Sequence, residues 1–178
     1  MKFNEFYSLT IVHSRDIILV KGVDYMNITK QKSQKTFDKQ AADYDTNIQG
    51  EHARKLYKPI IENLKNKNIH SILDLGCGTG ALLKEIKELN IAEQLFGIDI
   101  SPNMLEIAKN KLGNDATLIL GDSERLPFED SSFDAIVCND SFHHYPQPDI
   151  VEKEVSRCLK QNGVFIIGDC WQPIGARQ

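Results

Sequence analysis

An apolar run that ends in an acid and three alternating glycines, Ile72-Leu73-Asp74-Leu75-Gly76-Cys77-Gly78-Thr79-Gly80, constrains the fold more than any other stretch of this chain. A run apolar on both faces reads as a strand buried in a parallel sheet, and the clustered glycines after it read as a tight turn. Leu82, Leu83, Ile86 and Leu89 then recur at helical spacing. Strand, turn and helix in that order form the opening unit of an open α/β sheet, which binds its ligands beyond the carboxyl ends of its strands. Glycines at that point let the backbone approach a ligand closely. Asp74, at the strand end, is a charged hydrogen-bond acceptor that repels a diphosphate and holds an ammonium or sulfonium group.

The same unit repeats downstream. Leu95 to Ile98 read as a second strand ending at Asp99, followed by a helix with Ser101 as N-cap, Pro102 at its first position and Gly113 at its close. Thr117 to Leu120 make a third strand that runs into Gly121-Asp122, and Phe133 to Cys138 a fourth that runs into Asn139-Asp140. Ile150, Val151, Val155, Cys158 and Leu159 mark a helix expected to end at Asn162-Gly163, before a fifth strand over Val164 to Ile167. These elements predict an α/β, Rossmann-like, open and mainly parallel sheet in the order 3-2-1-4-5, with helices on both faces. Upstream, Ala53, Leu56, Tyr57, Ile60 and Leu64 line one helix face that Pro59 kinks or divides. Phe37, Ala41 and Tyr44 line another, in a Lys- and Gln-rich stretch.

Length and charge narrow the function classes. At 178 residues the chain holds one domain, and a net charge of −4 argues against a general nucleic-acid binder. Cys77, Cys138, Cys158 and Cys170 form no C-x-x-C pair, so neither a disulfide framework nor a metal site is expected. No apolar run reaches the ~20 residues that span a bilayer, and the N-terminal stretch lacks a signal-peptide core, so a soluble, cytoplasmic protein is expected without membrane partners.

The glycines fit two ligands. Gly76, Gly78 and Ala81 satisfy G-x-G-x-x-G/A with Asp99 about twenty residues on, the dinucleotide-binding pattern of a nicotinamide-dependent oxidoreductase. Asp74 and the extra Gly80 instead make D-x-G-x-G-x-G, and here the stretch resembles motif I of the class I S-adenosylmethionine-dependent methyltransferases. The resemblance extends from Thr36 to Trp171, through Gly121-Asp122-Ser123-Glu124-Arg125-Leu126-Pro127-Phe128 and Phe133 to His144, and is to small-molecule enzymes of the ubiquinone/menaquinone-biosynthesis-like, methyltransferase type 11 kind. It implies S-adenosyl-L-methionine as cofactor, with Asp74 addressing its amino acid, Asp99 its ribose and Asp122 its adenine amino group, while the N–H of Ser123 reaches the ring. By the same resemblance Gly76, Cys77, Gly78, Gly80, Ile100 and Asn139 belong to the cofactor site, with Tyr44 as a lid contact. Asn139-Asp140-Ser141-Phe142 lacks the prolines of N-P-P-Y, which disfavours base or glutamine methylation. His144, with Asp140 behind it, is the expected acid/base for a small-molecule acceptor; packing against the following helix is the alternative for either His143 or His144.

At its ends the chain is expected to comprise an extension over residues 1–28, with short strands at Ser8 to His13 and Ile17 to Val20, and the cofactor-binding domain over 29–178. The family's sheet continues with antiparallel strands that have no counterpart here. Val164 to Ile167 is therefore expected at a sheet edge, open to homodimer pairing or to cover by Ile17 to Val20. A cofactor-binding fragment without turnover is the corresponding alternative to a complete methyltransferase.

Overall fold

A computed structural model of the chain describes residues 7–12 and 23–170. Six strands, β1 (Tyr7–Val12), β2 (Ile69–Leu75), β3 (Ala92–Asp99), β4 (Ala116–Leu120), β5 (Phe133–Asn139) and β6 (Leu159–Cys170), form one sheet in the order β1-β6-β5-β2-β3-β4. Strands β2 to β6 run parallel to one another, and reproduce the expected 3-2-1-4-5 order. Helices α1 (Val23–Gln40), α2 (Ile48–Lys55), α3 (Tyr57–Leu64), α4 (Ala81–Glu88), α5 (Pro102–Leu112) and α6 (Pro148–Cys158) complete the fold.

Alternation along the central strands divides the core in two. Ile72, Ala135, Val137, Val164 and Ile166 face one side with Leu56, Ile60 and Leu64 of the α2–α3 pair and Leu82, Leu83 and Ile86 of α4. Leu73, Leu75, Ile136, Cys138, Phe165 and Ile167 face the other, against Val151, Val155 and Cys158 of α6. Pro59 does divide its helix. α2 ends and α3 begins at Leu56, because the proline at the third position of α3 has no N–H to continue the ladder.

Three expectations are corrected. First, the β6 edge is not open: β1 pairs with it antiparallel, with Leu9 opposite Gly168 and Val12 opposite Phe165. Homodimer pairing through that edge is thereby removed, and the covering segment is 7–12, whereas Ile17 to Val20 lies outside the described residues. Second, the division at residue 28 falls inside α1, and the N-terminal strand belongs to the same sheet as the rest. Third, α6 stops at Cys158 and β6 starts at Leu159, four residues before the expected Asn162-Gly163. The last-turn carbonyls of Arg157 and Cys158 accept from Ser131 N and Ser132 N at 2.9 and 2.8 Å, and Leu159 is already extended opposite Phe133. Asn162, at φ 69°, is a left-handed kink within the strand.

No helix among the described residues is long and apolar enough to cross a membrane.

Candidate functional site

The carboxyl ends of β2, β3, β4 and β5 converge on one cleft of about 720 Å³ including its open mouth. Its floor is the turn after β2. Gly76, Gly78 and Gly80 take φ values of 68°, 52° and 74°, a region that costs a side chain about 1–2 kcal/mol. Their roles differ. A Cβ on Gly76 would meet Ser141 Oγ at 2.6 Å and Tyr145 OH at 3.1 Å, whereas one on Gly78 would meet nothing and point into open space. Gly80, the α4 N-cap, would strike Leu112 and Ala108. It therefore permits α5 to pack and does not line the cleft. Cys77 is likewise absent from the lining: its thiol is buried and raised well above its usual range by burial first, then by Asp99 and Asp74.

Two acids underpin the turn. Asp99 borders the cleft, and its oxygens accept from Gly78 N and Ser101 N, both at 2.8 Å, so the second strand end holds the glycine turn in place. Burial raises its carboxyl and those N–H bonds oppose the rise. Asp74 is only 2 % exposed, lies outside the cleft lining, and its Oδ1 has no partner. Burial, with Asp99 second, pushes its carboxyl up to about 8. A buried carboxylate oxygen without a donor is costly, so it is the atom of this site most in need of a ligand's N–H.

The third strand end has a partner from elsewhere in the chain. Asp122 Oδ2 receives Lys30 Nζ of α1 at 2.7 Å, Lys30 also meets Glu124, and Asp122 Oδ1 accepts from Glu124 N at 2.9 Å. Ser123 is buried beside it, and Ile100 and Met104 also line the cleft. The segment after Lys30 straps across the opening: Asp38 accepts from Ser101 Oγ at 2.6 Å, and Asp45 from Thr79 Oγ1 at 2.6 Å and Lys111 Nζ at 2.7 Å. Tyr44 lines the cleft from this strap, its phenol pushed to about 12 by burial and then by Asp140, Asp99 and Asp45.

At the β5 end, Asn139, Asp140, Ser141 and His144 line the cleft. Asn139 Nδ2 donates to Ala53 O at 3.3 Å while its Oδ1 is buried without a partner. Phe37 packs edge-on against His144, with ring centroids 5.1 Å apart. Burial, then His143, lowers His144 to about 4, so its ring is uncharged at neutral pH. The expected pairing of His144 with Asp140 is not the one the fold makes. His143 and His52 are the histidines whose charge acts on Asp140, and His143 Nδ1 lies 2.6 Å from Asp169 Oδ1.

The residues suit a nucleoside carrying a cationic amino acid: an orphaned buried oxygen at Asp74, open space over Gly78, and acids at two further strand ends. Residues 73–167 match the family model described as Methyltransferase domain. The chain belongs to the class I S-adenosylmethionine-dependent methyltransferases. A demethylmenaquinone methyltransferase of Thermotoga maritima is 33 % identical over 148 residues, covering 82 % of this chain and 64 % of that protein. The sterol 4-C-methyltransferase strm-1 of Caenorhabditis elegans is 35 % identical over 125 residues, 67 % of this chain and 36 % of that one. The chain thus spans roughly one to two thirds of the length of these curated relatives. Among solved structures, the YcgJ protein of Bacillus subtilis superposes with a TM-score of 0.62 at 28 % identity, over 68 % of this chain and 53 % of that one. Phosphoethanolamine N-methyltransferase 1 of Haemonchus contortus, in complex with phosphoethanolamine and S-adenosylhomocysteine, shares the fold, with a TM-score of 0.70 at 17 % identity over 86 % of this chain and 35 % of that one. The cofactor is S-adenosylmethionine.

Sequence reasoning missed Lys30, Glu124, Met104, Ser141 and Tyr145 as lining residues. Ser141 and Tyr145 lie within the segment already singled out after β5, but nothing in the sequence joins Lys30 to acids more than ninety positions away.

Proposed function

We propose that this chain transfers the methyl group of S-adenosylmethionine to an O, N or C nucleophile of a small molecule, with Asp74, Gly76, Gly78, Asp99, Ile100, Asp122, Ser123 and Asn139 holding the cofactor. The observation that carries the assignment of the cofactor residues is the unpartnered Asp74 Oδ1 beneath the glycine turn. Bound cofactor supplies an electrophilic methyl group on a sulfonium sulfur. Asp74 meets the positive charge of its amino-acid end, the Asp99 carboxylate retains lone pairs for vicinal hydroxyls, and Asp122 keeps acceptor capacity beyond Lys30. The strap bearing Phe37 and Tyr44 excludes water from the opening, and transfer proceeds chiefly by alignment.

At the acceptor end, His144 and Asp140 flank the place where the nucleophile loses its proton as its new bond to carbon forms. An uncharged His144 offers a ring nitrogen to the nucleophile's X–H. Its low basicity makes it a weaker base than one tuned near neutrality, so a positioning hydrogen bond is the larger part of its role. Two relatives are named as demethylmenaquinone and sterol methyltransferases, which supports a small molecule as acceptor.

Calorimetry with S-adenosylhomocysteine and with NAD tests the cofactor assignment: uptake of the former and not the latter is expected, and the reverse overturns it. A methylation screen of metabolite extracts with labelled S-adenosylmethionine tests turnover. With an acceptor found, His144→Ala is expected to lower kcat about tenfold with cofactor affinity kept. An unchanged kcat removes His144 from the reaction.

A further inference from the structure

Beside the cleft, at the ends of β5 and β6, three ligating side chains meet that the methyl-transfer scheme does not use together. One oxygen or nitrogen from each of Asp140, His143 and Asp169 lies within 4.8 Å of the others. The cluster is built by the sheet: Asp140 N donates to Gly168 O at 2.6 Å, and His143 N donates to Asp169 Oδ2 at 2.9 Å. His143 Nδ1 lies 2.6 Å from Asp169 Oδ1, with the two side chains 24 % and 13 % exposed. His52 of α2 brings a second imidazole close enough to act on the charge of Asp140.

We propose that Asp140, His143 and Asp169 bind one divalent ion of the Mn²⁺, Fe²⁺ or Zn²⁺ class at the rim of the cofactor cleft. This departs from the expectation that the chain holds no metal site, which rested on its cysteines alone. Two half-buried carboxylates at close quarters repel each other, and a cation between them reverses that cost. Ligands on an ion with bonds of about 2.1 Å stand about 3 Å apart when adjacent and about 4.2 Å apart when opposite, so the cluster takes an ion by small side-chain rotations once the proton shared by His143 Nδ1 and Asp169 Oδ1 is released to solvent and those two atoms part. One imidazole among carboxylates selects a borderline transition metal over Mg²⁺ or Ca²⁺, which favour oxygen alone. Asp140 also lines the cleft, so the ion's open coordination positions border the acceptor end. There they would take an oxygen or nitrogen of the acceptor. The ion site does not depend on the methyl-transfer assignment.

Titration of the chelator-treated full chain with Mn²⁺, followed by calorimetry and electron paramagnetic resonance, tests it. One Mn²⁺ per chain with a micromolar Kd is expected, weakened at least tenfold in Asp140→Asn and in His143→Ala. His70→Ala, at the opposite end of β2, serves as control and leaves binding unchanged. Absence of Mn²⁺ and Zn²⁺ binding below millimolar concentrations, or binding that survives both substitutions, overturns the proposal. Asp140→Asn preserves size and the main-chain bond to Gly168, so it decides the matter if the histidine variant unfolds. S-adenosylhomocysteine binding on the same samples separates the two assignments: nucleoside uptake without metal uptake sinks the ion site alone, and the converse sinks the cofactor assignment alone.

Discussion

Asp74 and Asp134 lie at opposite ends of the same pair of parallel strands, β2 and β5, and meet opposite fates. At the lower end, Asp134 is fully engaged: its Oδ2 accepts from His70 N at 3.0 Å and Ser71 N at 2.8 Å, and Lys160 Nζ sits 2.9 Å from Oδ1. Burial pulls that carboxyl upward, but the Ser71 N–H and Lys160 outweigh it and hold it below the usual range. At the upper end, Asp74 is more deeply buried, has an oxygen with no donor, and is pushed to about 8. One acid fastens strands together. The other is a cost to the empty fold, and on the function proposed above a ligand's ammonium group offsets it, which divides the two ends of the sheet between stability and binding.

The same isosteric substitution at both positions puts that contrast to its strongest test. Asp74→Asn is expected to lower S-adenosylhomocysteine affinity about 100-fold, roughly 3 kcal/mol, because the ligand's ammonium group loses a charged partner in a buried place. The same variant is expected to be at least as stable to urea as the parent, since it relieves an uncompensated acid. Loss of folding with affinity intact in the folded fraction would make Asp74 a structural residue and erase the contrast.

Asp134→Asn should do the reverse, by a smaller amount. It turns an amide toward Lys160 and weakens the clamp on the buried Ser71 N–H, for an expected loss of about 2 kcal/mol in unfolding free energy. Nucleoside affinity should stay within twofold. A large fall in affinity would mean that the lower end of the strands communicates with the site, and the division of labour would have to be abandoned.

The contrast also explains what could be read from residues in order. Central strands are apolar on both faces and end in acids, so Ile72 to Asp74, Leu95 to Asp99 and Phe133 to Cys138 declare both the sheet and the crevice above it through local pattern alone. What escaped notice depends on contacts between distant segments. Lys30 meets Asp122 across 92 positions, and His143 meets Asp169 across 26. Pairing of β1 with β6 joins the two ends of the described chain, and antiparallel registry across such a distance leaves no local signature. Gly80 reads as a ligand-approach glycine by spacing, yet what fixes it is the Cβ of Ala108 and Cδ1 of Leu112 on α5. Motif spacing locates a turn; it does not say which glycine faces the ligand and which faces a helix.

The smallest step is in pH, and it refines the comparison without altering a residue in the parent chain. Asp74 keeps its proton in the empty folded protein up to about pH 8, whereas in the unfolded chain it loses it near its ordinary value of 3.8. Between those values the folded state binds one more proton than the unfolded state, so this group's contribution to stability is complete below about pH 4 and is lost as pH rises toward 8. The slope reaches at most about 1.4 kcal/mol per pH unit. Asp134, held low, acts with the opposite sign: its contribution is present above the ordinary carboxylate range and is lost only as the solution becomes more acid. Urea unfolding at pH 5, 6, 7 and 8 should therefore show the parent losing stability relative to Asp74→Asn at each step, while Asp134→Asn follows the parent's slope over that window. Subtracting the variant removes the contribution of Asp99, whose carboxyl is also raised by burial. Saturating S-adenosylhomocysteine should flatten the difference, because a bound ammonium keeps Asp74 ionised and its proton leaves on binding. A parent-minus-variant difference that is level from pH 5 to 8 without ligand would show Asp74 already ionised in the empty fold, with a partner for its Oδ1 that the contrast with Asp134 denies.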